Sequence, residues 1–272
     1  MSNIFIDKNT RKFSAINFIM TVTVTVHLIV FLLPSIGMYL VNYGGLSPKL
    51  VIFGGQVWRL VTYAFLHDPS ALFHIIFNML MLWMFGKEIE HFWGSRKFFV
   101  FYFFTAIFAG VFSLSMAASP LHVNIIGASG ALMALLVIYA HYFPERQLLF
   151  FFIFPMKVKT AVIIYAVVSV LGTTNNYGNI SHITHLGGMI AGFLWIKYGD
   201  KIDLGARNVA AFFQNNKTQR SDFAFQREKT KINNRAEEVS RILDKINLYG
   251  IQSLTPAERK ILHEASVNSR NL

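Results

Sequence analysis

Charge is missing from this chain over long stretches. No Asp, Glu, Lys or Arg occurs in Phe13–Pro48, Pro69–Gly86, Phe98–Pro144 or Thr160–Ile196, runs of 36, 18, 47 and 37 residues. A helix needs about 20 apolar residues to cross the hydrocarbon core of a bilayer. The first two runs therefore hold one span each and the last two hold two each. The expected spans are Ala15–Leu40, Ala71–Phe92, Phe98–Ala118, Ile125–Tyr142, Thr160–Leu171 with some upstream contribution, and Ser181–Tyr198. The fifth is the shortest, because the apolar run Leu148–Phe154 is cut off from it by Pro155-Met156-Lys157. Only 14% of the residues are charged, against about 25% in soluble chains. The expected fold class is all-α, a polytopic membrane protein of six helices.

The basic residues orient these spans. Three lie in the N-tail, three after span two, three after span four and 14 from Lys197 onward, which places 23 of 25 on one side. The other side keeps Lys49 and Arg59. The positive-inside rule then puts both termini in the cytoplasm of a cell-membrane protein. The net charge of +11 is explained by topology, and no nucleic-acid partner is needed for it. Phe13–Val41 is too long for the apolar core of a signal peptide and lacks an Ala-x-Ala site, so it reads as a retained span. The absence of cysteine excludes disulfides, a cysteine nucleophile and thiolate metal sites. Four regions follow: an N-tail over 1–14, a membrane domain over 15–200, a disordered polar linker over 201–234 and a short helical tail over 235–272. In that tail Val239, Ile242, Leu243 and Ile246 keep helical spacing up to Gly250, and Thr255-Pro256-Ala257-Glu258 reads as a capping box. The segment 42–70, long and half apolar, is expected to lie in the membrane interface.

Polar groups at membrane depth are costly, so each is a functional hypothesis. His74 and Asn78 lie in span two, Ser129 in span four and His185 in span six, each one or two turns from the outer end of its helix. They share a depth within roughly 10 Å of the outer boundary. Gly130 and Ala134 in span four, with Gly188 and Gly192 in span six, allow two backbones to approach closely. That contact would bring a serine hydroxyl to an imidazole, which is the base it needs to become a nucleophile. His74 and Asn78, four residues apart, share a helix face and can supply donors to an oxyanion. Asp68 is the one carboxylate on the outer side ahead of the tail, so a Ser129–His185 dyad is a better reading than a triad.

These residues resemble the rhomboid intramembrane serine proteases. Gly127-Ala128-Ser129-Gly130 matches their G-x-S-G, His185 with Gly188 and Gly192 matches their catalytic-histidine helix, and His74-x-x-x-Asn78 matches their oxyanion pair. Trp58-Arg59 and Glu90-x-x-x-Gly94 also match, and read as an interfacial anchor and a helix-end bond. The resemblance covers about residues 50–198. It implies a six-helix rhomboid-like bundle that acts in the lipid bilayer without cofactor or metal. It also implies cleavage of single-span membrane proteins near the outer face, where small or helix-breaking residues expose the scissile bond. Oligomeric state is left open. The tail is similar to a short extension found in some bacterial rhomboids. One departure is Met133, where many rhomboids carry an aromatic ring stacked on the catalytic histidine.

Other readings compete. A catalytically inactive rhomboid-like protein that binds or escorts membrane proteins would keep the core but usually loses the serine or the histidine. A haem or metal carrier would use His74, His182 and His185 and gives Ser129 no purpose. A transporter predicts charges at the midplane, and the spans hold none. His182, one turn before His185, is either a partner of it or a solvated helix start. His27, His67, His91, His122 and His141 read as ordinary interface residues.

Overall fold

The computed structural model describes residues 13–116, 124–150, 154–172 and 179–269. His122, most of the N-tail and most of the short loops around 119–124 and 172–180 fall outside them. The chain forms two compact units, Met1–Ala206 and Arg207–Leu272.

The first unit is a bundle of apolar helices. Helix α1 (Ala15–Leu32) starts at Ser14, whose hydroxyl accepts from Asn17 N at 3.2 Å. The Glu90 carboxylate accepts from Ser14 Oγ at 3.0 Å and from Ala15 N at 2.6 Å, so Glu90 does make a helix-end bond. The first span was expected to run unbroken to Leu40. It breaks at Leu33, and Pro34 opens α2 (Pro34–Gly44) at the position where a missing N–H costs nothing.

The connection that follows is less interfacial than expected. It forms α3 (Pro48–Ile52), α4 (Arg59–Thr62) and a 3-10 turn over Tyr63–Phe65. Phe53 and Val57 are exposed, but Tyr63, Ala64, Leu66 and His67 are inserted into the core. Arg59 is buried and donates to the carbonyls of Gly45 and Asn42, which closes the C-terminal end of α2. Trp58 Nε1 donates to the Tyr43 carbonyl at 3.3 Å. Both residues of the Trp58-Arg59 pair are thus structural.

Span two consists of α5 (Leu72–Met81), a π-helical turn over Leu82–Gly86 and α6 (Lys87–Trp93), closed by Gly94 at φ +78°. Helix α7 (Ser95–Met116) turns back from it. Helix α8 (Ser129–Tyr142) is apolar on every side and buried continuously from Gly130 to Tyr139, so it occupies the centre of the bundle. Among the described residues three helical stretches are long and apolar enough to cross a membrane, Ala15–Leu32, Leu72–Trp93 and Ser95–Leu114.

The described residues of the run 148–154 are extended and are not part of the fifth span. Strand β1 (Gln147–Phe150) pairs antiparallel with β2 (Phe154–Lys157), Gln147 opposite Lys157. Helix α9 (Val158–Gly172) follows directly. Glu145 receives Lys157 at 2.6 Å and also Lys159, and the two ammonium groups hold its carboxyl at about 2, well below the usual range. At the same end of the bundle Glu88 accepts from Arg146 at 2.5 Å and from Tyr139 at 2.7 Å.

Helix α10 (Asn179–Tyr249) begins in the first unit and ends in the second. Residues 201–234, expected to be a disordered linker, are helical within it. Their polar composition is read equally well by a helix, since Lys, Arg, Gln and Glu are all good helix formers. In the second unit Gly250 at φ +79° ends α10, and Ile251–Ser253 turns the chain into α11 (Pro256–Ser269). The capping box is present: Thr255 N donates to Glu258 Oε2 at 2.8 Å and Glu258 N to Thr255 Oγ1 at 3.3 Å. Arg235 reaches Glu264 at 2.6 Å and Lys245 reaches Glu258 at 3.0 Å across the hairpin.

Candidate active site

Packing of α8 against the start of α10 places the serine and the histidine together. A Cβ on Gly188 would overlap the carbonyl oxygen of Gly130, and one on Gly192 would lie 2.9 Å from the Ala134 carbonyl oxygen. A Cβ on Gly130 would sit 3.0 Å from Ala109 Cβ and 3.1 Å from Thr184 Cγ2. These backbones touch where only glycine fits. In that register His185 Nε2 lies 2.8 Å from Ser129 Oγ. For the hydroxyl to donate, the ring nitrogen must accept, and the proton of a neutral His185 then sits on Nδ1. Nδ1 is buried and has no hydrogen-bond partner among the described residues. Among the described residues no carboxylate orients this histidine. Asp68 instead accepts from Ser70 N at 2.8 Å and Ser70 Oγ at 2.6 Å, bonds that lower its carboxyl below the usual range.

Span four was expected to be helical from Ile125. The helix starts at Ser129, and the residues before it are held by the first long connection. Leu46 and Ile125 exchange two backbone bonds of 2.9 Å, and Gly127 N donates to the Tyr63 carbonyl at 2.9 Å. Tyr63 is itself fixed by its hydroxyl, which donates to the Ala106 carbonyl at 2.8 Å. Ser129 therefore occupies the first helical position, where its own N–H lacks a partner within the helix and the positive end of the helix dipole lies close. Gly127 has φ +124°, which side chains rarely permit. A Cβ there would meet His74 Cε1 at 3.3 Å, His74 Nε2 at 3.6 Å and Ser129 Oγ at 3.7 Å. The space left open is bounded by the serine hydroxyl and the His74 ring.

Asn78 is buried in the same helix as His74, and its amide nitrogen lies 2.8 Å from Nε2 of His67. His67, expected to be an interface residue, is 0% exposed and its ring centroid is 5.3 Å from that of His74. His27 is likewise buried. Sequence spacing offered no route to His67, which precedes the helix and lies 11 residues from its partner.

His185 has two further ring neighbours. Tyr165 of α9 lies edge-on at 5.8 Å between centroids, and His182 lies at 6.4 Å. Tyr165 therefore supplies an aromatic contact that Met133, buried in α8, does not. His182 has a buried Nδ1 without a partner among the described residues, and its ring fills the space where a side chain at Gly172 would be. His74, His182 and His185 do not form a metal-binding group among the described residues.

Comparison with known proteins shows the family to which the chain belongs. A family model described as Rhomboid domain matches residues 54–199, and one described as a family of unknown function (DUF6576) matches residues 225–268. The chain is 33% identical over 143 residues to rhomboid protein 1, mitochondrial, of Saccharomyces cerevisiae, covering 51% of this chain and 40% of that one. It is 30% identical over 149 residues to the rhomboid protease GluP of Bacillus subtilis, covering 55% and 27%. With the rhomboid protease GlpG of Serratia proteamaculans it shares 31% identity over 142 residues, covering 51% and 47%. The chain spans less than half the length of each of these three relatives. With a family match over more than half of its length, and with helices able to cross a membrane, the chain is a membrane protein that belongs to the rhomboid family.

Proposed function

We propose that this chain is an intramembrane serine endopeptidase that cleaves single-span membrane proteins with a Ser129–His185 dyad. The observation that carries the reading is the 2.8 Å contact between Ser129 Oγ and His185 Nε2. His185 takes the serine proton as Oγ attacks the peptide carbonyl, then returns it to the leaving amine. The oxyanion is stabilised by the Ser129 N–H, the His74 ring and the Asn78 amide. Water next adds to the acyl-enzyme with His185 again as base. Gly127 keeps the space beside the nucleophile open, and Gly130, Gly188 and Gly192 keep the helices in contact. The charge distribution supports a cell-membrane location with both termini cytoplasmic and the site opening to the outer side.

A fluorophosphonate probe tests the reading without a known substrate. Detergent-purified protein is labelled and the adduct mapped by mass spectrometry, with His185→Ala alongside. An adduct on Ser129 that disappears in the variant is expected. Folded protein that stays unlabelled, next to another rhomboid that labels, identifies a binder that does not cleave.

A further inference from the structure

We infer that His67 is a positioning residue that fixes which end of the Asn78 amide faces the reacting serine. The inference rests on the reading of Asn78 as an oxyanion donor. An amide nitrogen only donates, so in the 2.8 Å contact between Asn78 Nδ2 and His67 Nε2 the ring nitrogen is the acceptor. The contact spends one N–H of the amide and leaves the other for a second acceptor.

The two ends of an asparagine amide are nearly the same shape and opposite in hydrogen-bonding sense. Rotated by half a turn, Asn78 would present a carbonyl oxygen where a donor is wanted, and would repel an oxyanion. A lone pair on His67 Nε2 accepts from the nitrogen end alone and so excludes that rotation. His67 is well placed to impose this, because it does not move freely. It is fully buried directly after Leu66, at the end of the segment that Tyr63 ties to α7. Its ring also lies edge-on to His74, so one imidazole backs both proposed side-chain donors.

The test measures the rate at which a fluorophosphonate probe labels Ser129 in the full chain, with thermal unfolding as a check on folding. Asn78→Ala and His67→Leu should each slow labelling, the latter by about tenfold to a hundredfold. His67→Gln places a carbonyl oxygen near the same point and should label at close to the original rate. In an Asn78→Ala background, His67→Leu should change the rate by less than about twofold, because its effect passes through the missing amide. Should His67→Leu fail to fold, His67→Met offers similar length without an acceptor. Independent, multiplicative effects of the two substitutions would overturn the inference while leaving Asn78 as a donor. Labelling of Asn78→Ala at the original rate would remove the donor reading itself, and this inference with it.

Discussion

The two helices that flank His185 are held in contrasting ways. Helix α8 meets α10 backbone to backbone, through Gly188 against the Gly130 carbonyl and Gly192 against that of Ala134. Helix α9 buries Val158, Val162 and Ser169 and leaves Ile163, Val167 and Val168 exposed. The distance between serine and histidine is therefore set by main-chain contact, which has no rotamers and little room to relax. The ring contact from Tyr165 is set by a helix with a thin buried face. Separation of the reacting atoms and orientation of the imidazole are thus controlled by parts of different stiffness.

The largest effect should come from Gly188. A leucine there overlaps the Gly130 carbonyl, and overpacking of this kind costs about 1–3 kcal/mol or more. Gly188→Leu is expected to abolish labelling of Ser129 and lower the thermal midpoint, whereas Val168→Leu on α9 should change neither. Equal tolerance at the two positions would break the comparison. Next in size, Asn78→Ala should slow turnover by about a hundredfold, the usual loss for one oxyanion donor, with the thermal midpoint read in parallel. A smaller loss is expected for Tyr165→Leu, about severalfold in the labelling rate, with Tyr165→Phe close to unchanged because the ring is kept.

The smallest effect concerns the charged tether at the start of α9. Glu145 has its carboxyl held at about 2 by Lys157 and Lys159. Because that value lies below the ordinary 4.5, any stabilisation is present above the ordinary value and is lost as pH falls toward about 2. The group is exposed, and exposed pairs contribute little. Glu145→Gln should lower the thermal midpoint slightly at neutral pH, with the difference gone in high salt. A carbon-13 titration of Glu145 with its midpoint near the ordinary value would show that the tether is not formed.

Parts of this arrangement were legible in the sequence and parts were not, for physical reasons. The all-α membrane character followed from the missing charge, and the meeting of spans four and six followed from small residues four apart. Pro34 marks the break in the first span, but hydropathy does not respond to a missing N–H. Leu148–Phe154 is apolar enough to suggest a span, and only the pairing of Gln147 with Lys157 shows a hairpin. Tyr165 sits in a helix that is apolar all round, where periodicity cannot say which side faces the histidine. The helix over 201–234 was hidden because its polar composition is one that a helix and a disordered chain share.

Helix α8 has 14 residues, which makes it about 21 Å long, against a hydrocarbon layer of about 30 Å. Its C-terminal end is followed within four residues by Glu145 and Arg146, both ion-paired, so that end stands at the edge of the lipid. The missing length falls at the serine end. There the helix gives way to irregular backbone over residues 124–128, pinned to Leu46 and Tyr63, a kind of backbone that membrane depth tolerates only where protein surrounds it. On the proposed function, water bound for an acyl-enzyme at Ser129 would cross a shortened dielectric barrier, and a shorter barrier at one point would let hydrolysis proceed inside a medium that otherwise excludes its reactant.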